Sequence, residues 1–217
     1  MILASITANL GEFTCIVLGF ASLGLALPIP ITSVQILAVD LGGELLPLIA
    51  LTFDPPDETM MRKPRRRGRH VLQRRSLADV FSFGALMGAA GYLSFYMAHH
   101  GGVSLGAAQA SPYATIVLAQ YMNILSRRTA GSLFTTRFAA NRPLVVALAT
   151  SLALVVAITN VDAAGTWLGF EPMRWRDWIW SVVGAVAFLL AFEFARRWPR
   201  HLGHDEEPSR RRRGNRR

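Results

Sequence analysis

Six long apolar stretches limit this chain more than any other feature of its sequence. They fall at about 2–24, 29–52, 79–98, 112–127, 143–161 and 177–197, each near the roughly 20 residues a helix needs to cross about 30 Å of hydrocarbon. Charged side chains make up only 17% of the chain and hydrophobic ones 52%, whereas a soluble domain is about 25% charged. The expected fold is all-α: a polytopic transmembrane bundle of six helices over residues 1–200, followed by a disordered basic tail, 201–217. The first stretch has no basic start and no small-residue cleavage site, and it carries Asn9 and Glu12 inside, so it reads as a membrane helix and not as a cleaved signal.

The net charge of +9 is segregated. Lys and Arg are nearly absent from the apolar stretches and collect in 62–75, around 127–142, and from Arg196 onward. Basic loops stay on the cytoplasmic side, which places the 54–75 loop and both termini there and makes the chain a multi-pass protein of the cell membrane. The alternate connections agree: 25–28 is uncharged and 99–111 has no Lys or Arg, while 162–177 is mixed and reads as a loop. The tail Ser209–Arg217 lacks interleaved aromatics and follows a membrane helix, so its expected partner is anionic lipid headgroups and not nucleic acid. Trp175, Trp178, Trp180 and Trp198 stand at the two ends of the last helix as interfacial anchors. Gly84, Gly88 and Gly91 form a small-residue strip suited to close helix packing.

Polar groups at membrane depth need a reason, since a carboxylate at a helix centre costs about 2.5–3.5 kcal/mol of insertion free energy. Asn9 and Glu12 are three residues apart in the first helix, and Asp40 and Glu44 are four apart in the second, so each pair can share a face. Two glycines separate the second pair and Pro47 follows. Pro47 cannot donate to the carbonyl of Gly43, so the helix is expected to loosen and free the Gly42–Gly43 carbonyls as oxygen ligands beside the carboxylates. Gln120 and Asn123 repeat the three-residue spacing in the fourth helix and can add amide oxygens, or serve as interhelical hydrogen-bonding glue. Hard and alkali cations want such oxygens. His99-His100 reads as an interfacial loop, Glu193 as a local ion pair with Arg196 and Arg197, and the lone Cys15 as a packing residue.

Asn9-Leu-Gly-Glu12, Leu27-Pro-Ile-Pro30 with Gln35-Ile-Leu37, Asp40-Leu-Gly-Gly-Glu44-Leu-Leu-Pro47, and Asp54-Pro-Pro-Asp57 leading to Met60-Met-Arg-Lys-Pro-Arg65 resemble the C-terminal membrane region of P-type cation-transporting ATPases of the calcium-pump and sodium/potassium-pump type. The resemblance covers the fifth to tenth helices of such a pump and is strongest over 5–65. It implies that Asn9 and Glu12 fall on fifth-helix ion ligands, that Asp40 and Glu44 fall on sixth-helix ones, and that Gln120 and Asn123 lie near the polar positions of the eighth. Calcium pumps usually carry Asn, Thr and Asp where Asp40, Gly43 and Glu44 stand here. Calcium, sodium, potassium and the proton therefore all stay open as cargo.

The family's phosphorylation segment DKTGT, actuator TGE and hinge GDGxND do not occur in these residues, nor does a phosphate-binding GxxxxGK[ST] loop. The expectation is the cation-translocating membrane part of a P-type ATPase, as a fragment or split subunit. Its partners would be the bilayer and a polypeptide supplying the first four helices and the cytoplasmic ATPase domains; ATP and Mg would act only through those domains. Two alternatives use the same residues: a stand-alone passive or proton-coupled cation pathway, and a non-functional structural remnant.

Overall fold

The computed structural model describes residues 2–23, 28–53, 74–128 and 142–197. Most of the basic 54–75 loop, much of the 127–142 connection, Trp198 and the tail 201–217 lie outside the described residues. The described residues form seven helices: α1 (Ile2–Leu23), α2 (Ser33–Phe53), α3 (Arg74–His100), α4 (Leu105–Arg128), α5 (Arg142–Asn160), the short α6 (Asp162–Leu168) and α7 (Trp175–Arg197). Five of them, α1, α2, α3, α5 and α7, are long and apolar enough to cross a membrane. The sixth long helix, α4, is 24 residues but richer in polar side chains.

The reason lies in its surroundings. α4 touches all five other long helices, and nearly every side chain from Gly106 to Tyr121 is buried. A helix enclosed by protein need not be apolar all round, because its polar groups meet neighbours and not lipid. α1 packs on α3 and α2 packs on α5; α4 bridges the two pairs, and α7 closes against α3 and α4.

The α1–α3 contact is set by the small-residue strip. A Cβ added at Gly88 would stand 2.3 Å from the Gly11 carbonyl oxygen, and one at Gly84 would stand 2.8 Å from the Leu10 side chain. Only glycine lets the two backbones come so close.

α2 begins with a capping box: Thr32 Oγ1 accepts from the Gln35 N–H at 3.3 Å, and the Thr32 N–H donates to Gln35 Oε1 at 3.0 Å. The helix is α-helical over Ser33–Ala38, widens into a π-helix over Val39–Glu44, and returns to α over Leu45–Ala50. The expected loosening is this π segment, in which the Leu45 N–H bonds back five residues to the Asp40 carbonyl. Two glycines lower the penalty for widening, and Pro47 removes the amide that would restore the tighter register.

Two expectations are corrected. The fourth helix starts at Leu105 and not at 112, so Pro112 lies inside it; buried neighbours tolerate the missing N–H. The 162–177 connection contains α6, closed by Gly169 at φ 73° with the Phe170 N–H bonded to the Gly165 carbonyl at 2.8 Å. Phe170 then buries against Tyr113, their ring centroids 4.8 Å apart, which gives the mixed loop an apolar anchor.

Candidate cation site

Glu12 on α1 and Glu44 at the end of the π segment are each only 4% exposed, and Gln120 on α4 is 1% exposed. Gln120 Nε2 donates to Glu44 Oε2 at 3.4 Å, tying α4 to α2. Three acceptors in this interior, Glu12 Oε1, Glu44 Oε1 and Gln120 Oε1, are buried without a hydrogen-bond partner among the described residues. They come from three different helices. Asp40 is half-buried, and both it and Glu44 lie within electrostatic range of Glu12. Buried anionic oxygens without donors are costly unless a cation or proton joins them.

The remaining expected ligands are arranged differently. Asn9 is exposed, because the buried stripe of α1 runs through Ala4, Ala8, Gly11 and Cys15 with Glu12 on its edge, and Asn9 lies about 60° beyond that edge. Asn123 is buried and its Nδ2 donates to the Ala4 carbonyl at 3.3 Å, a strut between α4 and α1. Among the described residues, no three His, Cys, Asp or Glu side chains form a group that could hold a metal ion.

The Gly42 and Gly43 carbonyls are engaged by a residue from α5. Pro47 lacks the N–H that Gly43 would meet four residues on in an α-helix and that Gly42 would meet five residues on in a π-helix. Ser151 Oγ donates to both, at 2.5 Å to Gly42 and 3.1 Å to Gly43. The Tyr121 hydroxyl from α4 lies 2.5 Å from Ser151 Oγ. Both Ser151 and Tyr121 are buried. Neither was singled out by the sequence, although a Thr150-Ser151 pair in the middle of an otherwise apolar helix is a visible signal.

The other polar positions have local roles. His99 and His100, expected in a loop, form the last turn of α3: His100 Nδ1 lies 3.0 Å from the Tyr96 carbonyl, and His99 stacks on Phe95 with ring centroids 5.6 Å apart. Cys15 is fully buried against α3, and Asp177 caps α7 by accepting the Arg174 N–H at 2.8 Å. Trp175 is 70% exposed at the start of α7, with the Arg176 guanidinium 5.3 Å from its ring.

The sequence profile of a family described as "Cation transporting ATPase, C-terminus" matches residues 28–198. A calcium-transporting ATPase of Bacillus subtilis is 36% identical over 191 residues, covering 86% of this chain and 21% of the relative. An endoplasmic reticulum calcium ATPase of Aspergillus fumigatus is 25% identical over 206 residues, covering 80% of the chain and 21% of the relative. A human potassium-transporting ATPase alpha chain is 38% identical over 80 residues, 36% of the chain and 7% of the relative. The chain thus spans about a fifth of the length of the calcium-transporting relatives.

Proposed function

Because the chain belongs to the family of cation-transporting ATPase C-terminal regions, a multi-pass membrane component of P-type cation transport, we propose that the α1–α2–α4 interior is its transported-ion site. Glu12, Asp40 and Glu44 supply carboxylate oxygens, and Gln120 supplies an amide oxygen. The observation that carries this reading is the set of three unpartnered buried oxygens, Glu12 Oε1, Glu44 Oε1 and Gln120 Oε1, contributed by three helices. A desolvated cation entering there replaces its water with these groups, and it satisfies acceptors that have no donor. Gly43 and Asn123 support the frame: the first shapes the π segment, the second ties α4 to α1.

Calcium takes 6–8 oxygen ligands, a number that three carboxylates and one amide reach only if nearly every carboxylate oxygen takes part. Asp40 is half-buried and Asn9 exposed, which leaves room for further ligands from another polypeptide. We assign that supply to the pump's first four helices, and the ATP-hydrolysing and phosphorylation steps, with their Mg, to the cytoplasmic domains. Both termini and the basic 54–75 loop take the cytoplasmic side, with the basic tail on anionic lipid.

The test is equilibrium binding of radioactive Ca2+ to the full chain in lipid nanodiscs, with Na+, K+ and protons as competitors. Glu12→Gln and Glu44→Gln are each expected to weaken binding about tenfold or more. Binding equal to wild type in both variants would overturn the assignment. Ion flux through liposomes holding the chain alone would favour a passive pathway over a pump component.

A further inference from the structure

We infer that Ser151, oriented by Tyr121, is a positioning residue that holds the π segment of α2 open and thereby aims the Glu44 carboxylate. This deepens the ion-site reading and rests on it for the role of Glu44, but its structural half stands on separate contacts. Pro47 has no N–H for the carbonyl it would meet, that of Gly43 in the four-residue register or that of Gly42 in the five-residue one. One hydroxyl on another helix accepts the task of both: Ser151 Oγ at 2.5 Å and 3.1 Å.

Ser151 has a single hydroxyl hydrogen, and it is directed at those carbonyls. The Tyr121 hydroxyl at 2.5 Å must therefore be the donor in its contact with Ser151. The chain runs in one direction, from Tyr121 on α4 through Ser151 on α5 to the carbonyls of α2. Such serial hydroxyls polarise each other, which strengthens the final bond. The residue that follows the two carbonyls is Glu44, whose Oε2 is held by Gln120 on the same α4 that carries Tyr121. The π segment is thus pinned at its carbonyls by Ser151 on α5 and at its carboxylate by Gln120 on α4, and α4 also carries the Tyr121 that orients Ser151.

The surroundings leave room for this device and little else. A Cβ added at Gly43 would stand 2.8 Å from the Val117 side chain and one at Gly42 3.2 Å from Leu154, so the segment is closely packed on both α4 and α5. Release of the Ser151 bond is expected to let the segment rewind toward the α register, which would turn Glu44 relative to Gln120.

The experiment uses the full chain in nanodiscs with Ser151→Ala, Ser151→Thr and Tyr121→Phe. Amide hydrogen exchange across residues 40–48 is read without added cation, and Ca2+ binding is read separately. Ser151→Ala is expected to speed exchange there about tenfold and to weaken Ca2+ binding by a similar factor. Ser151→Thr restores the donor and should bring both within about twofold of wild type. Tyr121→Phe, which leaves the Ser151 donor in place, should move both readouts in the same direction by less, and it carries the test should Ser151→Ala fail to fold.

Exchange over 40–48 unchanged by Ser151→Ala would overturn the inference. So would faster exchange with Ca2+ affinity untouched in a chain that binds Ca2+, since Ser151 would then be structural only. A wild-type chain that binds no Ca2+ defeats the ion-site reading, and the exchange measurement still decides whether Ser151 holds the π segment.

Discussion

Gln120 divides its amide between two tasks: Nε2 donates to Glu44 Oε2 at 3.4 Å, and Oε1 is left buried with no donor. Removing the amide removes both the proposed ligand and one of the donors to the Glu44 carboxylate. Gln120→Leu should therefore weaken Ca2+ binding about tenfold and also lower stability by roughly 1–3 kcal/mol, the cost of leaving buried Glu44 short of a donor. Asn123, one helical turn along, has its Nδ2 on the Ala4 carbonyl, so Asn123→Leu should lower stability by about 1 kcal/mol and leave Ca2+ affinity within about twofold. Paired denaturation and binding curves in the same nanodiscs separate the two residues. Similar losses of Ca2+ affinity in both would return Asn123 to the ligand set. Glu12 and Glu44 are legible from sequence because a carboxylate in an apolar stretch has few other reasons to be there. Asn9 is not placed by the same logic: three-residue spacing puts it near Glu12 but cannot tell which of the two lies inside the buried stripe.

At the scale of the element, Gly-Gly and Pro47 forecast that α2 would loosen, and it does so as a π-helix over Val39–Glu44. What they could not show is where the freed carbonyls go, because the donor, Ser151, is more than a hundred residues away in the chain. The glycine strip of α3 was legible for a related reason, since small residues at helical spacing have one common use in a membrane. Its members are not equal. At Gly88 an added methyl meets backbone, the Gly11 oxygen at 2.3 Å, while at Gly91 it meets the Ile116 side chain at 3.1 Å, which can turn aside. Gly88→Ala should therefore force α1 and α3 apart and destabilise by about 2–3 kcal/mol, the upper part of the overpacking range, whereas Gly91→Ala should cost less than about 1 kcal/mol. Thermal unfolding of the two variants gives the order directly, and a reversal would mean that the helices are not packed at this closeness.

Across the whole molecule, hydropathy supports five of the six expected spans, while the sixth, α4, and its central place do not follow from it, because composition reports lipid exposure and says little about a helix enclosed by protein. The same principle, read in reverse, points to the face that a partner polypeptide should cover. α1 exposes Asn9 together with Phe13 at 64%, and α2 exposes Leu41 at 57%, beside the half-buried Asp40. α7 also exposes apolar residues, Val183 at 52% among them, but no polar group of the candidate site lies with them. Lipid suffices to cover an all-apolar face; it is a poor neighbour for Asn9 and Asp40, so protein from the rest of the pump should cover α1 and α2 and leave α7 on lipid. With Cys15 replaced by Ala, nitroxide labels at Asn9→Cys and Val183→Cys can report on the two faces. Addition of a polypeptide carrying the first four helices of such a pump should immobilise the label at 9 and leave the one at 183 unchanged. Equal immobilisation, or none at 9, would mean that the face beside the acids is finished without a partner, and the site would then have to reach its full ligand count from these residues and water alone.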